Sequence, residues 1–100
     1  MQALFFDVHE PIIGHIKNGV VTGIECNYMG AKVGKAISEG IMDKPVIFRS
    51  HGGRASDMEK GTSKIDIAFI AAPTSDDMGN CTGKFGKSAC GSIGYAFADA

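Results

Sequence analysis

Residues 20–49 read V-V-T-G-I-E-C-N-Y-M-G-A-K-V-G-K-A-I-S-E-G-I-M-D-K-P-V-I-F-R and decide the fold that the sequence predicts. The run over 20–26 is short and rich in β-branched residues, as strands are. Residues 31–42 repeat apolar positions with a helical period and predict an amphipathic helix. Residues 45–49 are again apolar, with a proline at the first strand position, where it is tolerated. Strand, helix and strand in this order predict a parallel α/β unit with a right-handed crossover.

The α/β pattern extends towards the N-terminus. Residues 8–18 predict a short helix, because an apolar residue recurs at every fourth position. Asp7 and Glu10 have the spacing of a capping box at the start of this helix. Asn18 and Gly19 are a typical stop signal at its end. A helix is therefore expected directly before the strand over 20–26.

Towards the C-terminus, residues 65–72 are the most apolar run of the chain, I-D-I-A-F-I-A-A. Such continuous hydrophobicity predicts a strand that is buried on both faces, as in a parallel sheet. Asp66 interrupts the run, and a buried carboxylate there would need an arginine or a backbone N–H as its partner. Residues 55–60 predict one or two helical turns ended by Gly61. The predicted fold class is α/β, with a mostly parallel sheet flanked by helices.

Residues 73–94 differ from the rest of the chain, because they carry five glycines and little periodicity. A long structureless stretch inside a compact domain is usually functional. Asp76 and Asp77 within it are typical of turn chemistry. Residues 94–100 predict the beginning of a helix without a stop signal. We therefore expect residues 1–100 to be a single domain that is itself a piece of a longer one.

The composition argues against several classes of protein. A formal net charge of −1 with scattered basic residues disfavours nucleic acid as a partner. No apolar run approaches the roughly 20 residues that cross a bilayer, and the N-terminus lacks a secretory pattern, so a cytoplasmic location is expected. The three cysteines form no C-x-x-C pair and predict small reduced residues. No metal site is predicted, since His9 and His15 lack a familiar ligand spacing.

The first candidate site follows the strand over 45–49, where the chain reads S-H-G-G-R. Gly52 and Gly53 let the main chain approach a ligand, and Arg54 has the geometry to clamp a carboxylate with two hydrogen bonds. His51 is either an oxyanion donor or a structural residue that bonds a backbone carbonyl. Ligands of open α/β sheets bind beyond the carboxyl ends of strands, where Ser50 begins this segment. The alternative is an ordinary turn.

The second candidate site is C-T-G-K-F-G-K-S at 81–88. It is similar to a phosphate-binding P-loop, but that motif requires a glycine where Cys81 stands and a strand immediately before it. Without the motif, Gly86, Lys87 and Ser88 still offer backbone N–H groups and a cation near the predicted final helix, and these favour phosphate or carboxylate. The alternative is a glycine-rich surface hairpin with a solvated lysine.

Four segments that cover nearly all of the chain share one resemblance. They read V-H-E-P-I-I-G-H-I-K-N-G-V-V, V-G-K-A-I-S-E-G-I-M-D-K-P-V-I-F-R-S-H-G-G-R, K-I-D-I-A-F-I-A-A-P-T-S-D-D-M-G-N and G-K-S-A-C-G-S-I-G-Y-A. Together they resemble the citrate lyase alpha chain family, the citrate CoA-transferase or citrate:acyl-carrier-protein transferase subunit. The S-H-G-G-R and G-K-S-A-C-G-S segments are specific to it, whereas D-x-A…P-x-x-D-x-x-G is shared with CoA transferases generally. The resemblance implies a fragment of the N-terminal half of such a subunit, with part of a CoA-transferase-like domain.

The resemblance also implies an activity and its partners. The family's alpha chain replaces acetyl by citrate on an acyl carrier thioester and releases acetate, and the beta chain then cleaves the citryl group to oxaloacetate and acetyl. The expected partners are citrate, acetate, the acyl carrier subunit, the citryl lyase beta subunit and further copies of the chain. No cofactor is expected to bind directly, because the coenzyme A-like arm of the carrier (or coenzyme A) is a substrate.

The resemblance assigns no catalytic residue to this chain. Glu25, Glu39 and Glu59 match no nucleophile motif of the transferases, so we expect the catalytic residue outside these 100 residues and no turnover from them alone. Two other functions stay open: a transferase or thioester hydrolase that acts on a different small acid, and a non-catalytic anion-binding fragment. The carboxylates of citrate and the phosphates of the carrier arm have the same candidate ligands in this chain, which are Ser50, His51, Gly52, Gly53, Arg54, Gly86, Lys87 and Ser88.

Overall fold

The computed structural model of the chain describes residues 1–92, except for the side chains of Phe6 and Asp7. The predicted helix at 94–100 lies outside these residues. The chain divides into two compact units, Met1–Gly53 and Arg54–Ala100.

The first unit is a three-stranded parallel sheet with helices between its strands. The sheet order is β1-β2-β3, the same as the order along the chain. The two helices contact each other, as expected when both cross over the same face of the sheet. The elements are β1 (Gln2–Val8), α1 (Ile12–Lys17), β2 (Gly23–Met29), α2 (Ala31–Ser38) and β3 (Ile47–Phe48). The predicted α/β class with a parallel sheet is confirmed.

The core of this unit lies between the sheet and its helices. Ile24 in β2 is completely buried, and Val33 in α2 packs against the same cluster. Burial of each such side chain stabilises the fold by roughly 1.5–3 kcal/mol. None of the three cysteines forms a disulfide, as predicted: Cys26 is buried in this core, whereas Cys81 and Cys90 are exposed. The buried apolar set is Ala3, Val8, Ile16, Val21, Ile24, Cys26, Val33 and Met42.

The N-terminal prediction of a helix over 8–18 is wrong in its first part. Val8 ends strand β1, which the sequence reading missed, and the helix begins only at Ile12. The cause is Pro11, because a proline disfavours helical backbone in the residue before it. Pro11 itself is the N-cap and no side chain caps the helix, so the predicted capping box does not form. The predicted stop is confirmed, since Asn18 is the C-cap and Gly19 has a φ of +71°.

The central elements are confirmed with shifted bounds. Strand β2 starts three residues later than predicted, at Gly23, and α2 ends at Ser38 rather than at 42. Gly40, with a φ of +88°, explains the earlier end, because a left-handed glycine after the last turn terminates a helix. Strand β3 is only two residues long, and both of its side chains are exposed.

The predicted buried strand at 65–72 is wrong. No strand is formed there, and Ile67 and Phe69 are 77% and 97% exposed. Asp66 is exposed as well, so the expected buried partner for its carboxylate is not needed. An apolar run becomes a doubly buried strand only where neighbouring strands and covering layers exist. Among residues 1–92, no strand pairs with this run.

The other elements lie after the first unit's sheet. Helix α3 (His51–Glu59) runs on from the first unit into the second, and Gly61 follows it with a φ of +74°, the predicted stop. Within the second unit, β4 (Thr74–Ser75) pairs antiparallel with β5 (Cys81–Thr82). The glycine-rich stretch is thus a short hairpin followed by a loop.

Candidate anion-binding site

The S-H-G-G-R segment is the N-cap and first turn of α3, and not the ordinary turn that the sequence left open as the alternative. Ser50 stands at the N-cap, where its Oγ accepts a hydrogen bond from the N–H of Gly53 at 3.1 Å. A Cβ added at Gly53 would lie 2.8 Å from this Oγ, so a side chain there would disturb the cap. Nothing lies within 4 Å of the same point at Gly52. Gly53 is thus required by the cap, and Gly52 leaves the helix start open to a ligand.

The two charged or titratable residues of this turn have opposite environments. His51 is exposed at the first helical position, whereas Arg54 is 3% exposed and is the one charged residue that is buried among those whose side chains the structure describes. A buried guanidinium stays charged and is costly to remove from water unless it has partners. Solvent reaches His51, but a carboxylate would have to enter the interior to bind Arg54. The prediction that Arg54 clamps such a ligand remains a prediction.

The second candidate segment lies in the loop after β5. Gly86 has a φ of +98°, and an added Cβ would lie 3.2 Å from the carbonyl oxygen of Pro73. Lys87 and Ser88 follow it and are exposed. Thr74 Oγ1 donates a 2.8 Å hydrogen bond to the carbonyl of Phe85 and holds the loop against β4. Gly86 is thus a structural residue, while Lys87 and Ser88 present their side chains to solvent.

Two backbone N–H groups of this loop donate hydrogen bonds within the loop itself. Those of Cys90 and Gly91 both donate to the carbonyl of Gly83, at 3.0 and 3.1 Å. A Cβ at Gly83 would overlap the Gly91 oxygen, which shows how closely the two backbone segments approach. The N–H groups of Cys90 and Gly91 are therefore not available to a ligand, while the side chains of Lys87 and Ser88 are exposed.

The two candidate segments belong to different parts of the chain. Ser50–Gly53 lie in the first compact unit, whereas Gly86–Ser88 lie in the second.

The turn between β4 and β5 has the chemistry that its sequence predicts. Asp76 Oδ1 accepts from the N–H groups of Met78 and Asn80, each at 2.9 Å, and Oδ2 accepts from Asn80 Nδ2 at 2.7 Å. These bonds favour the charged carboxylate, the Asn80 side chain most, so the pKa of Asp76 lies below its usual value. Asp76 is thus a turn residue, as its sequence context predicts.

A polar cluster on the sheet, which the sequence reading missed, lies directly beside the first segment. Glu25 Oε2 accepts from Nε of Arg49 at 2.9 Å, and the two side chains are 14% and 19% exposed. Asn27 Nδ2 donates to the carbonyl of Arg49 at 2.9 Å. The β-strand period of two was the available signal, because Glu25 and Asn27 share one face of β2.

An open cavity of about 310 Å³ lies at the carboxyl ends of β1 and β2. Lys32 and Glu10 at its wall form an exposed ion pair at 3.0 Å, of the kind that contributes about 0–1 kcal/mol. Neither candidate segment contributes to it. The cavity is lined by Val8, His9, Glu10, Tyr28, Gly30, Ala31, Lys32 and Val33.

Two general features of the described chain bear on function. Among the side chains that the structure describes, which leave out Asp7, no three of His, Cys, Asp or Glu come together as a metal ion would need. Over the same residues, no helix has both the length and the apolar character to span a bilayer.

Comparison with known proteins gives a consistent match along the chain. The family model described as "Citrate lyase, alpha subunit (CitF)" matches residues 2–100. The citrate lyase alpha chains of Klebsiella pneumoniae and Haemophilus influenzae are each 48% identical over 94 residues, and that of Escherichia coli is 43% identical. These matches cover 94% of the chain, which itself spans only 18–19% of the length of those relatives.

Proposed function

Because the chain belongs to the citrate lyase alpha subunit family, we propose that it is part of a transferase subunit that exchanges acetyl for citrate on an acyl carrier thioester. The match of the family model over residues 2–100 is the observation that carries this proposal. The chain spans less than a fifth of its relatives, so the activity belongs to a polypeptide of their length, and these 100 residues alone are inactive.

The proposed exchange conserves the thioester. A carboxylate of citrate replaces acetate: the carbon–sulfur bond of the acetyl thioester breaks, a citryl carbon–sulfur bond forms, and one citrate oxygen leaves with acetate. Such a reaction needs groups that hold three carboxylates and groups that stabilise a developing oxyanion. The catalytic residue itself lies outside the part of the polypeptide described here.

The start of α3 is the best placed of the candidate segments for a carboxylate. Its helix is nine residues long, His51 is exposed, and Gly52 has open space where a side chain would be. The positive end of a helix dipole favours an anion. Lys87 and Ser88 are exposed in their loop and would serve a carboxylate or the phosphates of the carrier arm.

The partners follow from the same proposal. The coenzyme A-like arm of an acyl carrier subunit (or coenzyme A) is the thioester substrate rather than a resident cofactor, and a citryl lyase beta subunit removes the product. The complex operates in the cytoplasm, and its alpha subunits associate with one another.

An exchange assay tests the proposed function. The polypeptide at the length of its relatives is purified and mixed with a carrier protein loaded with radiolabelled acetyl. We expect release of labelled acetate that depends on citrate, with the citryl thioester of the carrier detected by mass spectrometry.

Other outcomes of this assay separate the alternatives. Acetate release at the same rate without citrate, and with loss of the thioester, identifies a thioester hydrolase. Exchange with a different small acid but not with citrate identifies another transferase. An intact acetyl carrier in all mixtures overturns the proposed transfer.

A further inference from the structure

We propose that Glu25 and Asn27 are positioning residues that act through Arg49 and hold the first turn of α3 in the geometry that presents Ser50–Gly53 to a ligand. The identity of the ligand in this inference rests on the proposed function. The claim that Glu25 and Asn27 fix the helix start is independent of that function. Neither residue belongs to the S-H-G-G-R motif, and both lie on β2, 22 or more residues earlier in the chain.

Strand β2 holds Arg49 at three points. The N–H of Arg49 donates to the carbonyl of Cys26 at 3.0 Å and continues the parallel ladder beyond β3. Its carbonyl accepts from Asn27 Nδ2 at 2.9 Å, and its Nε donates to Glu25 Oε2 at 2.9 Å. Both backbone polar groups and the side chain of Arg49 are therefore fixed by one neighbouring strand.

Hydrophobic burial supplies little of the anchoring at this point. Ile47 and Phe48, the two residues of β3, are 42% and 62% exposed. The Glu25–Arg49 pair is far less exposed, at 14% and 19%. A charge-assisted hydrogen bond shielded from water is stronger than an exposed one, and loss of one partner leaves the other charge poorly solvated. The polar contacts of Arg49 thus outweigh the packing of β3 in fixing where the strand ends.

The position of Arg49 is transmitted directly to the helix start. Ser50 is the next residue, and its Oγ caps α3 through the N–H of Gly53. A displaced Arg49 carbonyl moves the N-cap, and with it His51 and Gly52. Because a misplacement of about 1 Å in a binding group costs as much as roughly a hundredfold in rate, residues behind the site can control it.

The effect on citrate binding is tested by the kinetics of a polypeptide with the full length of the relatives, assembled in its complex. Glu25→Gln is expected to raise the KM for citrate roughly tenfold while leaving the KM for the acetyl carrier unchanged. The reason is that the change displaces Ser50–Gly53, the proposed carboxylate-binding segment, and leaves the other binding groups in place. Glu39→Gln makes the same chemical change on an exposed carboxylate at the C-cap of α2 and is the matched control. The double variant Glu25→Gln/Arg49→Gln is expected to cost no more than either single change, as for residues that act as a unit.

Hydrogen exchange tests the structural part without any activity. Peptides that cover 49–55 are expected to exchange faster in Glu25→Gln than in Glu39→Gln, with α2 unchanged. If Glu25→Gln does not fold, Asn27→Ser removes a single neutral hydrogen bond to the Arg49 carbonyl and carries the same two measurements.

The outcomes distinguish this inference from the proposed function. An inactive wild-type protein overturns the function, while the exchange measurement still decides whether Glu25 fixes the helix start. An active protein whose Glu25→Gln variant has lower thermal stability but an unaltered KM for citrate shows a merely structural pair and overturns the inference. Unchanged exchange at 49–55 overturns it as well.

Discussion

Gly52 and Gly53 show how two identical residues side by side carry different constraints. Gly53 donates its N–H to the N-cap Ser50 and has no room for a Cβ, whereas Gly52 has open space around it. The sequence predicted both as freely approachable backbone. The space around Gly52 is open, as this prediction requires. The constraint on Gly53 comes from the Ser50 rotamer, which no sequence pattern specifies.

The first prediction compares alanine at these two positions. Gly52→Ala is expected to stabilise the protein by about 0.5–1 kcal/mol, because alanine favours the helix. Gly53→Ala is expected to gain nothing or to destabilise, since its Cβ displaces the Ser50 hydroxyl, and loss of such a cap costs about 1 kcal/mol. Thermal unfolding of both variants measures the difference. A stabilised Gly53→Ala would contradict the close contact.

The same pair also tests the binding role. If ligands use the open side of Gly52, the stabilised Gly52→Ala protein should show a raised KM for citrate. A more stable protein with unchanged kinetics would remove Gly52 from the candidate site.

The elements were predicted best where a local chemical signal ends or turns the chain. Gly19 and Gly61 have positive φ and follow helices as predicted, because such stops depend on neighbouring residues alone, whereas the stop at Gly40 was missed. The Asp76 turn is equally local. The two errors, the missed strand β1 and the wrongly predicted strand at 65–72, concern tertiary structure, because strand pairing depends on residues far away in the sequence. For the same reason, the burial of Arg54 was not predictable, and the strand period that places Glu25 and Asn27 on one face of β2 does not identify Arg49 as their partner.

The second prediction concerns the pH dependence of the β4–β5 turn. The hydrogen bonds to Asp76, led by that of the Asn80 side chain, lower its pKa in the folded state. A lowered folded pKa means that the stabilisation is present above the unfolded pKa and is lost as the pH falls through the folded pKa. The carboxyl ¹³C signal of Asp76 should therefore titrate below the usual range for aspartate.

Removal of the Asn80 side chain isolates the cause. Asn80→Ala is expected to move the titration midpoint of Asp76 upwards, because the first of its stabilising bonds is lost while the backbone bonds remain. An unchanged midpoint would show that the backbone N–H groups alone set the pKa.

At the scale of the whole molecule, the two compact units differ in how they bury their apolar side chains. The first unit buries a contiguous core, whereas the second exposes Ile67, Phe69, Met78 and Phe85. Exposed apolar patches of this kind are sites of association. The sequence predicted a buried strand at 65–72, and this prediction is wrong, because no layer within residues 1–92 covers the run. The single-domain organisation stays a prediction.

The third prediction is that the 100-residue chain associates through this run. Phe69→Ser should reduce association at a given concentration and change the free energy of unfolding by no more than about 0.5 kcal/mol, because the ring is 97% exposed. Light scattering over a concentration series measures the association. Val20→Ser, at a 51% exposed position outside the run, is the control and should associate as the wild type does. Equal association of Phe69→Ser and wild type would exclude this run as the contact.

The order of the strands has a consequence for biosynthesis. Gln2 pairs with Gly23 and Glu25 with Ile47, so each strand of the sheet pairs with one about 20 residues away in the sequence. Short closures of this kind are fast, and domains fold on the ribosome from the N-terminus onwards. The sheet, its core and the contacts of Arg49 with β2 all lie within the first 53 residues. A nascent chain halted soon after these residues leave the exit tunnel should already resist proteolysis, before the glycine-rich hairpin has been translated.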